Sequence, residues 1–333
     1  MIRSLLVAAL AAWFGCAQAR TLEVGPGKSY ASPSEAAAAA ADGDTVAIAP
    51  GSYFDCAIWR QNGLTIAGTG PGVLITDRAC AGKAAFVIQG NGVTIRGLSF
   101  MRIRVPDGNG AGIRAEGRDL TVEDSRFDAD QIAILAGAPG GSLRIADCLF
   151  AANGGGTDER PLDAIVAGRL DLLSVSHSVF KNARSGGHIN SSALRTEIIG
   201  NDLADEGGRM AGPLVSVNGG VVILTGNTFT LSAGAAARPG AVLVFGDAEA
   251  LAVRGNTLTE SAGQTPMVRN WGGVAAGAYG NTVPDGVEAV SESGATYHRL
   301  RARMAALRAS ARDAAGFARH EAAVAARGLG LIQ

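Results

Sequence analysis

Apolar and polar positions alternate through most of this chain, and the alternation itself repeats. The segment VVILTGNTFTL (Val221–Leu231) recurs with drift. VTIRGLSF ends at Phe100, LTVEDSRF at Phe127, LRIADCLF at Phe150, LLSVSHSVF at Phe180, TEIIGNDL at Leu203, LAVRGNTL at Leu258 and AAGAYGNTV at Val283. Successive ends lie 23 to 30 residues apart. Such a period with two-residue alternation predicts a solenoid whose turns each hold about three short strands, stacked about 4.8 Å apart and paired in parallel.

A second strand precedes each of these, usually ending in Gly: FVIQG to Gly90, IRAEG to Gly117, AILAG to Gly137, AIVAG to Gly168, LVSVNG to Gly219, VLVFG to Gly246 and VRNWG to Gly272. HINSSA (His188–Ala193) fits with Ala193 in the Gly position. Counting back from that position, the second and fourth residues are mostly apolar and are expected inside; the first, third and fifth are expected outside. The outward stripe then holds Arg114, Glu116, Asp163, His188, Asn190, Ser192, Ser216, Asn218, Phe245, Arg269 and Trp271, with Ala136 and Ala167 among the first positions. Amides and charges of this kind meet sugar hydroxyls and carboxylates, and an aromatic ring covers a sugar's apolar face. The bland alternative is a solvated sheet face.

Asp163 and His188 fall at the same position on adjacent coils, a pairing suited to general acid–base chemistry. Lys181, Arg184 and Arg195 flank His188 in the sequence. By contrast, Asn201, Asn227, Asn256 and Asn281 each follow a Gly two residues before a unit's end, and are expected to form a structural ladder at a turn.

The ends differ from the middle. Arg3, the apolar run Leu5–Phe14 and Ala17-Gln18-Ala19 read as a signal peptide over residues 1–19, which makes the chain exported, periplasmic or secreted. The mature chain has no transmembrane pattern. Ser34 is expected to cap a short helix, SEAAAAAA, over the open first coil. Residues 20–290 are the solenoid, and 291–333 are expected to form a long α-helix with a stripe through Tyr297, Leu300, Met304, Leu307 and Phe317. Seven Arg stand there against Asp313 and Glu321, while the whole chain is −1, so the solenoid is acidic. The helix is expected to lie along the solenoid, and self-association is its other reading.

Aromatic residues are scarce (5%) and Gly is frequent (47 residues), which suits a narrow aliphatic core with tight corners. Cys56 and Cys80 lie one turn apart and are candidates for a bridge, whereas Cys148 falls in an inward column. No metal-ligand Cys/His spacing, no GxSxG elbow and no basic aromatic groove for nucleic acid is present.

The helix, then DGDTVAIAPGSY, then stacked units ending in GNTF resemble right-handed parallel β-helix proteins of the pectate-lyase-like group, over roughly Thr21–Gly286. GHINSSALRT resembles a bacterial branch with a GHxxKS-type segment: His188, Ser192 and Arg195 match, while Ser191 stands at the Lys position. That branch tends to place a His-Asn pair one coil earlier, where this chain has Asp163 and Ala164. The resemblance implies an all-β, right-handed parallel β-helix of about nine or ten coils. It also implies a polysaccharide partner and, for a lyase, a basic residue such as Lys181 or Arg195 near the sheet that abstracts a proton. Ca²⁺ enters by resemblance only, because Glu116, Asp124, Asp147 and Asp163 are scattered and the residues themselves call for no cofactor. Two functions remain: a lyase or epimerase acting on a uronic-acid polymer, and a non-catalytic glycan-binding β-helix of the cell envelope.

Overall fold

The computed structural model describes residues 19–155, 161–205, 212–232, 238–260 and 264–292. The expected signal peptide up to residue 18 and the expected C-terminal helix from 293 onward lie outside these residues. The described chain is an all-β parallel solenoid of about ten turns. Every strand pairing in it is parallel, from Thr21↔Thr45 at one end to Val268↔Val290 at the other.

Three sheets run the length of the solenoid. The first contains Ala84–Ile88, Ala111–Ala115, Ile132–Ala136, Ile165–Ala167, Ile189–Ser191 and Val268–Asn270. The second contains Thr45–Ile48, Thr94–Arg96, Leu120–Glu123, Leu172–Ser176 and Arg195–Ile199. Val215–Thr225 and Val242–Arg254 run through both, bending at the corner, so the first two form one continuous 19-stranded sheet. The third sheet has nine strands, including Ser99–Met101, Val179–Lys181 and Thr228–Leu231.

Each repeat terminus stacks on the next. Phe100, Phe127, Phe150 and Phe180 form a buried column with ring centroids 5.1, 5.0 and 4.5 Å apart. At the corner before this column, Gly200, Gly226, Gly255 and Gly280 have φ between 61° and 66°, a left-handed conformation that Gly adopts without a Cβ penalty. Asp124, Asp147 and His177 hold that place in earlier coils. The residue that follows is the expected Asn ladder. Asn201 Nδ2 donates to Asn227 Oδ1 (3.1 Å), Asn227 Nδ2 to Asn256 Oδ1 (2.9 Å) and Asn256 Nδ2 to Asn281 Oδ1 (3.1 Å). Each of these Oδ1 atoms also accepts the backbone N–H of the preceding Asn. Ser178 and Cys148 extend the column with weaker partners: Ser178 N–H donates to Asn201 Oδ1, and Cys148 N–H to Ser178 Oγ.

Cys56 and Cys80 are joined in a disulfide across adjacent coils, with Cα atoms 5.4 Å apart. Cys148 is a free, buried thiol whose pKa burial pushes up to about 12. The N-terminal helix spans Pro33–Ala39 and buries Pro33, Ala36 and Ala37 against the first coil. Its N-cap is Ser32 rather than Ser34: the Ser32 hydroxyl accepts the Glu35 N–H, and Pro33, which has no N–H to satisfy, takes the first helical position.

Candidate functional site

The outward face of the first sheet divides into two halves. Its middle row, in register, runs Val87, Arg114, Leu135, Val166, Asn190, Ser216, Leu243, Arg269. In the earlier coils Ala84, Val87, Ala111 and Ile132 form a buried apolar cluster on the outside of the sheet, with Leu135, Leu162 and Val166 packed against it. Arg114 and Glu116, beside this cluster, keep side-chain exposures of 29% and 26%. The polar, half-open stretch starts at Asp163 and Asn190 and continues through Ser216 to Arg269.

Asp163 sits at the start of this stretch. Its Oδ1 accepts the Gly187 N–H at 2.6 Å, and its Oδ2 accepts Nδ2 of Asn190 at 3.1 Å. Burial raises its pKa, and the two hydrogen bonds oppose the rise. Gly187 is required here because a Cβ would lie 2.3 Å from the Pro213 carbonyl oxygen and 2.9 Å from Asp163 Oδ1. The next outward positions along the strands are Ser192, Asn218, Phe245 and Trp271, with Asn218 and Phe245 paired in register. Ser192, Phe245 and Trp271 are half-buried and Asn218 is exposed. Arg269 is held flat: Nε donates to the Pro239 carbonyl and Nη1 to Ser291 Oγ, both at 2.9 Å.

His188 is not on this face. It is 1% exposed, packs against the Phe180 ring with centroids 5.5 Å apart and planes tilted by 47°, and its Nε2 lies 2.9 Å from the Ala204 carbonyl. The alternation rule fails there because position 188 belongs to the corner before the strand, where Ala164, Leu214 and Ala241 are also buried. The proposed Asp163–His188 alignment fails for a second reason. AILAG and AIVAG reach their Gly one residue sooner than their neighbours: Ala136 pairs with Ala167 and Ala115, and Ala167 with Ser191. Asp163 is therefore level with Gly187, and Ala136 and Ala167 point into the core, 3% and 2% exposed.

The basic candidates are dispersed. Lys181 ends a strand of the third sheet, and Arg195 starts one of the second, where its Nε donates to Glu197 at 2.6 Å. Arg114 and Glu116 share the earlier half with Lys83, which the alternation did not single out. Lys83 Nζ lies 2.5 Å from Glu116 Oε1, Gln89 Nε2 donates to Oε2 at 3.1 Å, and Arg114 Nε lies 3.6 Å away. The Lys83 contact leads in holding the Glu116 carboxyl below its usual pKa. Also unforeseen is the buried ion pair Asp205–Arg238 (2.6 Å), in which both residues adjoin segments that lie outside the described residues. Among the described residues, no group of three or more His, Cys, Asp or Glu is placed to hold a metal ion, and no helix is long and apolar enough to cross a membrane.

No family model matches the sequence, and no curated protein does. Solved structures do match. Escherichia coli YbhC aligns over 85% of this chain and 88% of its own, with a TM-score of 0.52 at 12% identity. The carrot pectin methylesterase covers 78% of this chain and 88% of its own (14% identity, TM-score 0.47). The Azotobacter vinelandii mannuronan C-5 epimerase AlgE6 A-module covers 76% and 92% (17% identity, TM-score 0.29). At these identities the likeness speaks to architecture, so the conclusion it carries is that this chain has the pectin lyase-like parallel β-helix fold.

Proposed function

We propose that this protein is an exported β-helix that binds an acidic polysaccharide on the outward face of the first sheet, over the stretch from Asp163 to Trp271. The observation that carries the reading is the in-register row Asn190, Ser216, Leu243, Arg269, bordered by Asn218, Phe245 and Trp271. Amide, hydroxyl and guanidinium groups there meet sugar hydroxyls and carboxylates, and the two aromatic side chains offer surface to sugar rings. A rigid sheet presents these groups with little ordering cost on binding. Export is supported by the leader pattern and by the disulfide between Cys56 and Cys80. The non-catalytic reading is favoured, because Lys181, Arg195 and His188 do not converge on Asp163. A lyase or epimerase reading draws on Asp163 alone, a half-buried carboxyl with a raised pKa at the edge of the open stretch.

The test is calorimetric titration of the mature chain with uronic-acid and neutral oligosaccharides, with product analysis in parallel. The expected result is salt-sensitive binding of the uronic-acid oligomers only, with no unsaturated ends or epimerised residues. Trp271→Ala should weaken binding by about 1–1.5 kcal/mol, roughly tenfold. Absence of binding, or binding indifferent to Trp271→Ala and Asn190→Ala together, refutes the site. Turnover that Asp163→Asn abolishes while binding persists selects the enzyme reading.

A further inference from the structure

The two ends of the solenoid are finished differently. At the N-terminal end the Pro33–Ala39 helix covers the first coil. At the C-terminal end, among the described residues, no element covers the last coil. Val274, Ala276, Val283, Val287, Ala289 and Val290 pack on the core but are only half-buried. The strand Ala276–Tyr279 pairs with Leu251–Arg254 on one side, and among the described residues its other edge has no paired strand. The strand Val290–Ser291 is likewise the last of the first sheet. An apolar end with open strand edges is a site for pairing or aggregation unless it is covered.

The charge of this end is one-sided. From Asn270 to His298 there is no Lys or Arg, and Asp285, Glu288 and Glu292 are all exposed. The chain continues beyond it with Arg299, Arg301, Arg303, Arg308, Arg312, Arg319 and Arg327, interleaved with Leu300, Met304, Leu307 and Phe317 at three- to ten-residue steps. We propose that the occupant of the C-terminal end is the chain's own segment 297–327, which closes the last coil with its apolar stripe and sets its arginines against Asp285, Glu288 and Glu292. Only four residues separate the segment from Glu292, so the loop-closure cost is small and the effective concentration high. A second copy stacked end to end would instead bring the same acidic groups together.

The experiment uses the full mature chain and two variants, Leu300→Glu/Met304→Glu/Leu307→Glu in the segment and Asp285→Lys/Glu288→Lys on the end coil. The second changes only exposed side chains, so it keeps the fold if the first does not. Amide hydrogen exchange is read at Ala276–Tyr279 and Val290–Ser291, with Thr45–Ile48 as the internal reference, and sedimentation is run alongside. The expected result is a monomer in which both C-terminal strands exchange at least tenfold more slowly than in either variant, with the reference strand unchanged. Equal exchange in all three proteins overturns the proposal. So does protection that rises with protein concentration in step with a dimer, which would make a second copy the occupant.

Discussion

His188 Nε2 lies 2.9 Å from the carbonyl oxygen of Ala204, across the inside of the solenoid from the corner where His188 precedes the strand Ile189–Ser191. The carbonyl can only accept, so Nε2 carries the proton, and the ring is a neutral bridge between the first and third sheets. This contact turns the most reactive-looking residue of the repeat into a structural one.

Burial lowers the pKa of His188 to about 4. The unfolded chain, with an ordinary imidazole near 6.5, therefore binds a proton between these values that the folded chain does not. Stability should be intact above about pH 6.5 and fall as the pH drops towards 4, by on the order of 3 kcal/mol from this group. Denaturant midpoints measured from pH 7 to pH 4 should show the decline, and His188→Leu should flatten it. An identical slope in the variant would assign the acid sensitivity to carboxylates instead.

Asn227 is the centre of the ladder. Its Oδ1 accepts from the Asn201 backbone and side chain, and its Nδ2 donates to the Ile198 carbonyl and Asn256 Oδ1. Asn227→Ala leaves several buried partners unsatisfied, each costing about 1–3 kcal/mol. A loss of about 3 kcal/mol or more is expected in chemical denaturation, whereas Asn281→Ala, at the half-buried end of the ladder, should cost less. Equal, small losses at both positions would show that the ladder does not act as a connected unit.

The disulfide ties the second and third coils at Cys56 and Cys80, beside the buried pair Trp59 and Phe86, whose centroids are 5.4 Å apart. Alkylation of native protein should modify no cysteine, alkylation after reduction should modify two, and Cys148 should react only on unfolding. Cys56→Ser/Cys80→Ser should lower stability by on the order of 3 kcal/mol. Two rapidly reacting thiols in native protein would contradict the bridge.

Much of the architecture was legible in the sequence because a solenoid writes its contacts at a fixed interval. The columns Phe100–Phe180 and Asn201–Asn281, the Gly corners before them and the Cys56–Cys80 spacing all follow from stacking one repeat on the next, so local pattern and tertiary contact coincide. What the sequence left undetermined lies where the strands meet corners. Aligning AILAG and AIVAG on their Gly shifts them by one residue, and in a structure with a side-chain period of two a shift of one exchanges inside and outside. Alternation likewise holds only within a strand, so His188, at the bend before one, turned inward with Leu214 and Ala241. The covering of the early half of the face by Ala84, Val87, Ala111 and Ile132, and the meeting of Asp163 with Gly187 and Asn190, depend on how irregular corner segments of different lengths fold back over the sheet. Those segments follow no repeat, and only the assembled coils bring their residues together.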